Sequence, residues 1–272
     1  MDAQKFSDFE KPNMWKRLPA AMMHWATQIV LLSSMTAGER YRHAQWPILF
    51  AVFEPIGLVF LISFAQSYLF VTRPAFGSSN LLFNATGLIP YYLFVHVSQK
   101  VKNLDAMRAT PHTTWIDQAL AYLLGEIFVK TVILIFIFIA LSQGGVADAL
   151  PINPLGCLPP LLLLAIIGFS VGLFNLIIMS VWESWYYIYV LLVRALMAFS
   201  GVLFVMDYVP YQVREITAYN PIAQAITWFR ENVYSNYPAK SLDLTYTFEV
   251  TAILLVFAIL LEGLTREWRN IR

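Results

Sequence analysis

The stretch LPPLLLLAIIGFSVGLFNLIIMSV, residues 158–181, decides the fold class of this chain. Its only strongly polar residue is Asn175. An apolar run of about 20 residues matches the length of helix that crosses a hydrocarbon core about 30 Å thick. Gly168 and Gly172 add a G-x-x-x-G spacing, which lets another helix approach closely. The stretch therefore predicts a membrane-spanning α-helix with a close helical neighbour.

The rest of the chain repeats this pattern and predicts an all-α integral membrane protein. Of the 272 residues, 58% are hydrophobic and 13% are charged, whereas soluble domains carry about 25% charged residues. The predicted spans are residues 46–71, 80–100, 119–141, 158–181, 185–206 and 247–264. These six spans form a transmembrane domain over residues 46–264, with tails at residues 1–19 and 265–272.

Lysine and arginine placement predicts that both termini lie in the cytoplasm. Twelve basic residues fall on one side of the predicted spans: Lys5, Lys11, Lys16, Arg17, Arg40, Arg42, Lys100, Lys102, Arg108, Arg266, Arg269 and Arg272. The other side has four: Arg73, Arg214, Arg230 and Lys240. Cytoplasmic loops carry the excess of positive charge. The segment 207–238 then lies on the outer side.

Residues 20–45 are predicted to form an amphipathic helix in the inner membrane interface, followed by a link. Met22, Trp25, Ile29 and Leu32 recur at helical spacing, while polar residues occupy the other positions. A seventh span over residues 18–37 is the alternative. It would move either residues 5–17 or residues 40–42, with their basic side chains, to the outer side, so the interface helix fits better.

Charged residues inside the predicted spans form a polar layer in the inner half of the membrane. Glu126 and Lys130 are four positions apart on one helix, with the acid first, so we expect them to pair. Glu54 and Arg194 lie at matching depths of roughly 12–13 Å and are a candidate cross-helix pair. Such charges are costly in a membrane and default to functional hypotheses. Either they hold the helices together or they line a path for a hydrophilic cargo.

Aromatic residues crowd the inner end of the fifth predicted span, in WESWYYIYV at residues 182–190. Trp185, Tyr186 and Tyr189 are candidates for a substrate path, because aromatic faces stack on sugar rings. The alternative is an aromatic belt at the headgroup level.

The segment 207–238 is predicted to contain a short helix that begins at Asn220-Pro221. Asn suits the N-cap position and Pro the first helical position. Ile222, Phe229 and Val233 then share one face, together with Ala225 and Ile226. A helix of about 13 residues is about 20 Å long and cannot span the membrane. We expect it to dip into the outer leaflet and return, or to lie flat on it.

Several kinds of chemistry are not predicted. The sequence has no G-x-x-x-x-G-K-[ST] phosphate loop, and its four histidines have no metal-ligand spacing. We therefore expect no metal or cofactor in this chain and no enzymatic activity. A net charge of +1 gives no field for nucleic acid, so no nucleic-acid partner is expected.

The arrangement resembles the permease subunit of type-2 ATP-binding-cassette (ABC) exporters. Among these it is most similar to exporters of capsular polysaccharide and lipopolysaccharide O-antigen. The resemblance rests on three stretches: ERYRHAQWPILFAVFEPI (residues 39–56), LLFNATGLIPYYLF (81–94) and SGVLFVMDYVPYQVREITAYNPIAQAITWFRENVYSNYP (200–238). The start of the first span, HAQWP, and the weakly basic connection after the second span depart from the family pattern.

The resemblance implies a homodimeric permease in the bacterial inner membrane with two separate ATPase subunits, which would carry ATP and Mg²⁺. The cargo would be a lipid-linked polysaccharide, and periplasmic and outer-membrane export proteins are further candidate partners. The implied ATPase-coupling residues are Gly38, Glu39, Arg40, Arg42, Arg108 and His112. The implied outer-gate residues are Tyr211, Asn220, Pro221, Trp228 and Arg230. Exporters of other cargo (a drug, teichoic acid or a lipid), an integral-membrane transferase and a structural membrane subunit remain the alternatives.

Overall fold

The structure is a computed structural model that describes residues 47–100 and 115–271, with side chains over 53–100 and 119–265. The N-terminal tail, the predicted interface helix at residues 20–45 and the six predicted ATPase-coupling residues lie outside this part. The helices in the described part are α1 (Pro47–Phe64), α2 (Asn80–Lys100), α3 (Trp115–Gln143), α4 (Leu158–Val181), α5 (Trp185–Ala198), α6 (Tyr211–Ala218), α7 (Pro221–Val233) and α8 (Leu244–Ile271).

The described part of the chain is helical throughout its regular structure, which confirms the all-α prediction. Four of its helical segments are long and apolar enough to cross a membrane: Asn80–Lys100, Ala119–Gln143, Leu155–Val181 and Leu244–Thr265. They correspond to the second, third, fourth and sixth predicted spans. The second and fourth predictions match the helix bounds of α2 and α4 to the residue.

Helix α2 is the centre of the bundle, and almost all of its side chains from Leu82 to Ser98 are buried. α4 packs closely against it, because a Cβ at Gly168 would lie 2.8 Å from the Phe94 carbonyl oxygen. The close approach predicted for Gly168 is therefore made on α2. α4 in turn packs on α8, where the rings of Phe174 and Phe257 lie 5.8 Å apart.

α1 ends differently from the predicted span 46–71. Its α-helical hydrogen bonds stop at Phe64, and a π-helical turn follows over Ala65–Leu69. A polar cluster fixes this end, since the Asn84 amide donates to Ser63 Oγ at 2.9 Å and to Gln66 Oε1 at 2.7 Å. α1 therefore packs with its C-terminal end beside the N-terminal end of α2.

α5 is shorter than the predicted span 185–206, because the helix ends at Ala198. Gly201 adopts a left-handed conformation with φ +66°, which an α-helix cannot accommodate. The chain then makes a buried turn before the 3₁₀ turn Met206–Tyr208. The prediction failed at this point because residues 195–206, on both sides of the break, are almost all apolar, so hydropathy alone does not register it.

Side-chain contacts fix the register between α5 and α2. Tyr189 Oη donates to Ser98 Oγ at 2.6 Å near the Lys100 end of α2, and Tyr91 Oη donates to the Val193 carbonyl in the middle. Arg230 links the turn after α5 to α2 near its Asn80 end, because it donates both to Gly201 O and to Phe83 O and Thr86 Oγ1. α5 and its turn thus run antiparallel to α2 over nearly its whole length.

Candidate functional site

A polar cavity of about 310 Å³ lies between α1, α2 and α5. We call it the polar cavity. It is lined by Glu54, Tyr91, Tyr92, Val95, His96, Gln99, Tyr186, Val190, Val193, Arg194 and Met197. The structure thus brings together Glu54, Arg194 and Tyr186, three of the five residues that the sequence predicted for a substrate path. The direct ion pair between Glu54 and Arg194 stays a prediction.

A second cavity of about 250 Å³ adjoins the first at Glu54 and Tyr92, which line both. We call it the apolar cavity. Its other lining residues are Pro55, Gly57, Leu58 and Leu61 of α1. Pro55 lies inside α1 without ending it, and Gly57 leaves open space where a Cβ would be. The two cavities place a charged, hydrogen-bonding surface next to a hydrocarbon-like one.

A buried charged network lies behind the polar cavity, between α2 and α3. Lys130 Nζ lies 3.5 Å from Glu126 Oε2, so the pair predicted from the i, i+4 spacing is confirmed. Lys130 Nζ also lies 3.1 Å from His96 Nδ1, and Tyr122 Oη donates to Glu126 Oε1 at 2.7 Å. The Lys130 side chain is 1% exposed. His96 belongs both to this network and to the cavity wall.

The other two predicted aromatic residues anchor α5 to its neighbours. Tyr189 is buried and bonded to Ser98 Oγ. Trp185 Nε1 donates to Asn175 Oδ1 at 2.9 Å, which ties α5 to α4. Tyr186 alone of the three lines the polar cavity. Asn175, the only strongly polar residue of α4, therefore accepts a hydrogen bond from the indole of Trp185.

We call residues 207–238 the outer segment, after their predicted side; they contain the predicted helix as α7. Asn220 caps it, since its Oδ1 accepts from Ile222 N at 3.0 Å, and Pro221 occupies the first helical position. The predicted apolar face is buried. Gln224 and Thr227 are buried as well, so α7 packs inside the protein on several sides. Glu231 is exposed, so an exposed position remains outside the predicted apolar face.

Arg230 of α7 is 1% exposed and uses all five of its N–H donors on neutral acceptors. Its Nη1 donates to Gly201 O at 2.6 Å and Phe204 O at 3.2 Å. Its Nη2 donates to Val202 O at 2.6 Å and Phe83 O at 3.1 Å, and its Nε to Thr86 Oγ1 at 3.3 Å. The guanidinium also lies 3.9 Å from the centre of the Phe83 ring. Arg230 thus joins α7, α2 and the broken end of α5.

The remaining predicted outer-gate residues are more exposed. Tyr211, at the start of α6, is 63% exposed, and the Arg214 guanidinium lies 5.7 Å from the centre of its ring. The Trp228 ring packs edge-on against Phe248 of α8 at 5.8 Å. Asn220 Nδ2 donates to Phe199 O and Ser200 Oγ, which ties the start of α7 to the end of α5. The five residues predicted to form one gate therefore make separate contacts with different parts of the protein.

Sequence reasoning missed the α2 wall of the polar cavity. Tyr92, His96 and Gln99 follow one another at i, i+4 and i+7, which places them on one helix face. This polar stripe in an apolar span was the signal available. The buried Glu262 in the last helix, 5% exposed, was also missed. No protein-family model matches the chain, and no curated protein sequence matches it.

Proposed function

We propose that this chain is the permease subunit of a type-2 ABC exporter that moves a lipid-linked polysaccharide outward across the bacterial inner membrane. The observation that carries the proposal is the adjoining pair of cavities at Glu54 and Tyr92. An amphiphile has a polar head and an apolar chain, and a site for it needs both surfaces in contact. The polar cavity offers guanidinium, amide, imidazole and phenol groups for a glycan or phosphate head. The apolar cavity offers α1 side chains for a hydrocarbon chain.

In this proposal the chain crosses the membrane six times. α2, α3, α4 and α8 supply four crossings. α5 supplies another together with the turn after it, whose contacts reach from Ser98 to Phe83 along α2, roughly 22 Å at 1.5 Å per residue. Irregular backbone is tolerated at membrane depth where protein covers it, and Arg230 covers this turn. α1 with its π-helical turn is the sixth, and both termini are cytoplasmic.

A second copy of the chain completes the site. Glu54 and Arg194 are both exposed on the single chain. Each lies about two to two and a half helical turns from its helix start, so roughly 10–13 Å into the membrane. A charged side chain near the bilayer centre costs about 2.5–3.5 kcal/mol when it faces lipid. Another protein surface packed over Glu54 and Arg194 removes that cost. A homodimer that pairs along α1 and α5 provides this surface.

Energy comes from a partner in this proposal. The sequence lacks a phosphate loop, so ATP and Mg²⁺ bind to two separate ATPase subunits. The amphipathic helix at residues 20–45 and the connection after α2 would rest on those subunits. ATPase closure would then rock the helices around the polar cavity. This is a transport role without chemistry on the cargo.

Deletion of the gene in its host, followed by complementation, tests the proposal. We expect deletion to abolish surface polysaccharide and to leave polymer inside the cell, and wild-type chain to restore export. Arg194→Ala and Glu54→Ala should insert into the membrane normally and fail to restore export. Arg73→Ala is the matched control, because Arg73 is an exposed loop cation away from both cavities.

The outcomes of these experiments distinguish the polysaccharide exporter from the alternative functions. Unchanged surface polysaccharide after deletion would contradict the polysaccharide cargo and favour another cargo, such as a drug, teichoic acid or a free lipid. Full export by both Glu54→Ala and Arg194→Ala would contradict the role of the polar cavity. An intact polymer whose composition is altered after deletion would favour an integral-membrane transferase.

A further inference from the structure

A groove of about 260 Å³ lies between α4 and α8, next to the outer segment. We call it the α4–α8 groove. Its walls include Pro159, Leu162 and Ile166 of α4 and Phe248, Ala252 and Leu255 of α8. Leu162 and Phe248 are 50% and 51% exposed. Within the described part of the chain, no other segment covers the groove.

The groove belongs to the membrane-facing surface of the bundle. Its two walls come from helical segments that are long and apolar enough to cross a membrane, Leu155–Val181 and Leu244–Thr265. Thr251 also lines it, and the Thr251 hydroxyl donates to Thr247 O at 2.7 Å within α8. The walls therefore present hydrocarbon and no polar group that still needs a partner. What fills the groove comes from the membrane.

The size of the groove fits one hydrocarbon chain. A water molecule takes up about 30 Å³ of the liquid and a methylene group is of similar size, so the groove holds about eight or nine methylenes. A helix with its side chains is about 10–12 Å across and is too wide to enter. Lipid chains are as apolar as leucine, so transfer from the bilayer gives no hydrophobic gain. The gain is van der Waals contact, which a void between α4 and α8 would forfeit.

Trp228 of α7 adds a hydrogen-bond donor beside the groove. Its ring packs edge-on against Phe248, which forms part of the wall. Its carbonyl accepts from Asn232 Nδ2, while no described residue accepts from its indole N–H. Tryptophan favours the headgroup level of a membrane, where its ring meets hydrocarbon and its N–H meets polar oxygens. An apolar groove with this donor beside it suits an amphiphile.

We propose that the α4–α8 groove binds one acyl chain of a membrane phospholipid, and that the Trp228 indole N–H donates to an ester or phosphate oxygen of the same lipid. The lipid fills the space between two spanning helices beside α7 and so supports the outer segment. The groove is separate from the cavities proposed for the cargo, which lie at α1, α2 and α5. The inference goes beyond the export proposal, because it needs only a chain that spans a membrane.

A photoreactive phospholipid tests the proposal on the wild-type chain. The full chain is placed in nanodiscs of phosphatidylethanolamine and phosphatidylglycerol that contain a little phosphatidylglycerol with a diazirine on one acyl chain. After irradiation, the labelled peptides are mapped by mass spectrometry. We expect severalfold more label on residues 159–166 and 248–255 than on Val132, Phe136 and Ile139, which are exposed on α3. Equal labelling would show general lipid contact only and would overturn the proposal.

Ala252→Phe and Ala140→Phe form a matched pair of variants. Both alanines are exposed on spanning helices, and Ala252 lines the groove whereas Ala140 does not. A phenyl ring at residue 252 takes the place of the acyl chain. We therefore expect Ala252→Phe to lose the label on residues 159–166 and Ala140→Phe to keep it. Equal labelling of this segment in the two variants would overturn the proposal.

Trp228→Phe tests the headgroup contact, because it keeps a ring against Phe248 and loses the N–H. Phosphatidylglycerol binding to the full chain in detergent is measured by native mass spectrometry. We expect Trp228→Phe to bind roughly fivefold more weakly than wild type, the loss typical of one neutral hydrogen bond. An unchanged affinity would overturn the hydrogen bond.

A competition experiment identifies the kind of lipid. Polyprenyl phosphate is added to the nanodiscs at the same amount as the photoreactive phospholipid. We expect the label on residues 159–166 to stay as it is. Its loss would assign the groove to a polyprenyl chain and overturn the phospholipid. Export is not measured in any of these experiments, so the export proposal is tested separately.

Discussion

Replacing Arg230 with lysine should destabilise the outer segment strongly, because the guanidinium satisfies five acceptors and an ammonium has three donors. At least two of these hydrogen bonds are then lost. The loss of a buried hydrogen bond to a charged group costs about 1–3 kcal/mol. The expected loss is therefore about 2–6 kcal/mol, a large part of the 5–15 kcal/mol that typical domains have.

The single cysteine provides the assay. Cys157 is 7% exposed and lies beside the outer segment. The neighbouring Gly156 sits so close to Asn232 of α7 that a Cβ there would overlap the Asn232 side chain. A thiol-reactive fluorophore therefore labels Cys157 only when this region opens. During a thermal ramp in detergent, we expect Arg230→Lys to become reactive roughly 5–20 °C below wild type.

Arg214→Lys is the matched control. Arg214 belongs to the same outer segment, and its described contact is the face of the Tyr211 ring. Surface substitutions of this kind usually change stability by less than about 0.5 kcal/mol. If Arg230→Lys and Arg214→Lys expose Cys157 at the same temperature, Arg230 does not hold α7, α2 and the turn after α5 together.

Two further substitutions test the same region with the same fluorophore. Gly87→Ala should destabilise the chain as strongly as Arg230→Lys, because its Cβ would overlap both Arg230 Nη2 and Val202 O. Gly57→Ala is the control, because there is open space around its Cβ. If both variants melt at the same temperature, the close approach at Gly87 is refuted. Asn220→Ala should lower stability by about 1–2 kcal/mol, because it removes the N-cap of α7 and the bonds to the end of α5; an unchanged transition would contradict the capping role.

The hydropathy and residue spacing of the sequence predicted several helices of the bundle and one of its ion pairs. α2 and α4 were predicted to the residue because each is a mostly apolar stretch of spanning length with clear ends. The Glu126–Lys130 pair followed from helix geometry alone. The start of α7 at Asn220-Pro221 followed from local capping chemistry. These features depend on residues that are close together along the chain, so they can be read from the sequence directly.

Other features depend on contacts between distant residues and were not predictable in the same way. The early end of α5 combines the left-handed Gly201 with carbonyls that Arg230 binds from 26–29 positions away. The burial of Arg230 was not predictable, because its acceptors are mostly backbone carbonyls, which have no signature in a sequence. The α2 wall of the polar cavity was visible as a polar stripe, but only the packing of α1 and α5 turns that stripe into a cavity.

Reconstituted transport tests the central claim most directly. The chain is purified with its ATPase from host membranes and placed in proteoliposomes that carry a lipid-linked glycan on the face where the ATPase is bound. Appearance of the glycan on the opposite face is followed with a glycosidase enclosed in the lumen. The account predicts cleavage that requires ATP and is lost with Arg194→Ala but kept with Arg73→Ala. Absence of ATP-dependent cleavage with wild-type chain, or equal cleavage with Arg194→Ala, would contradict it.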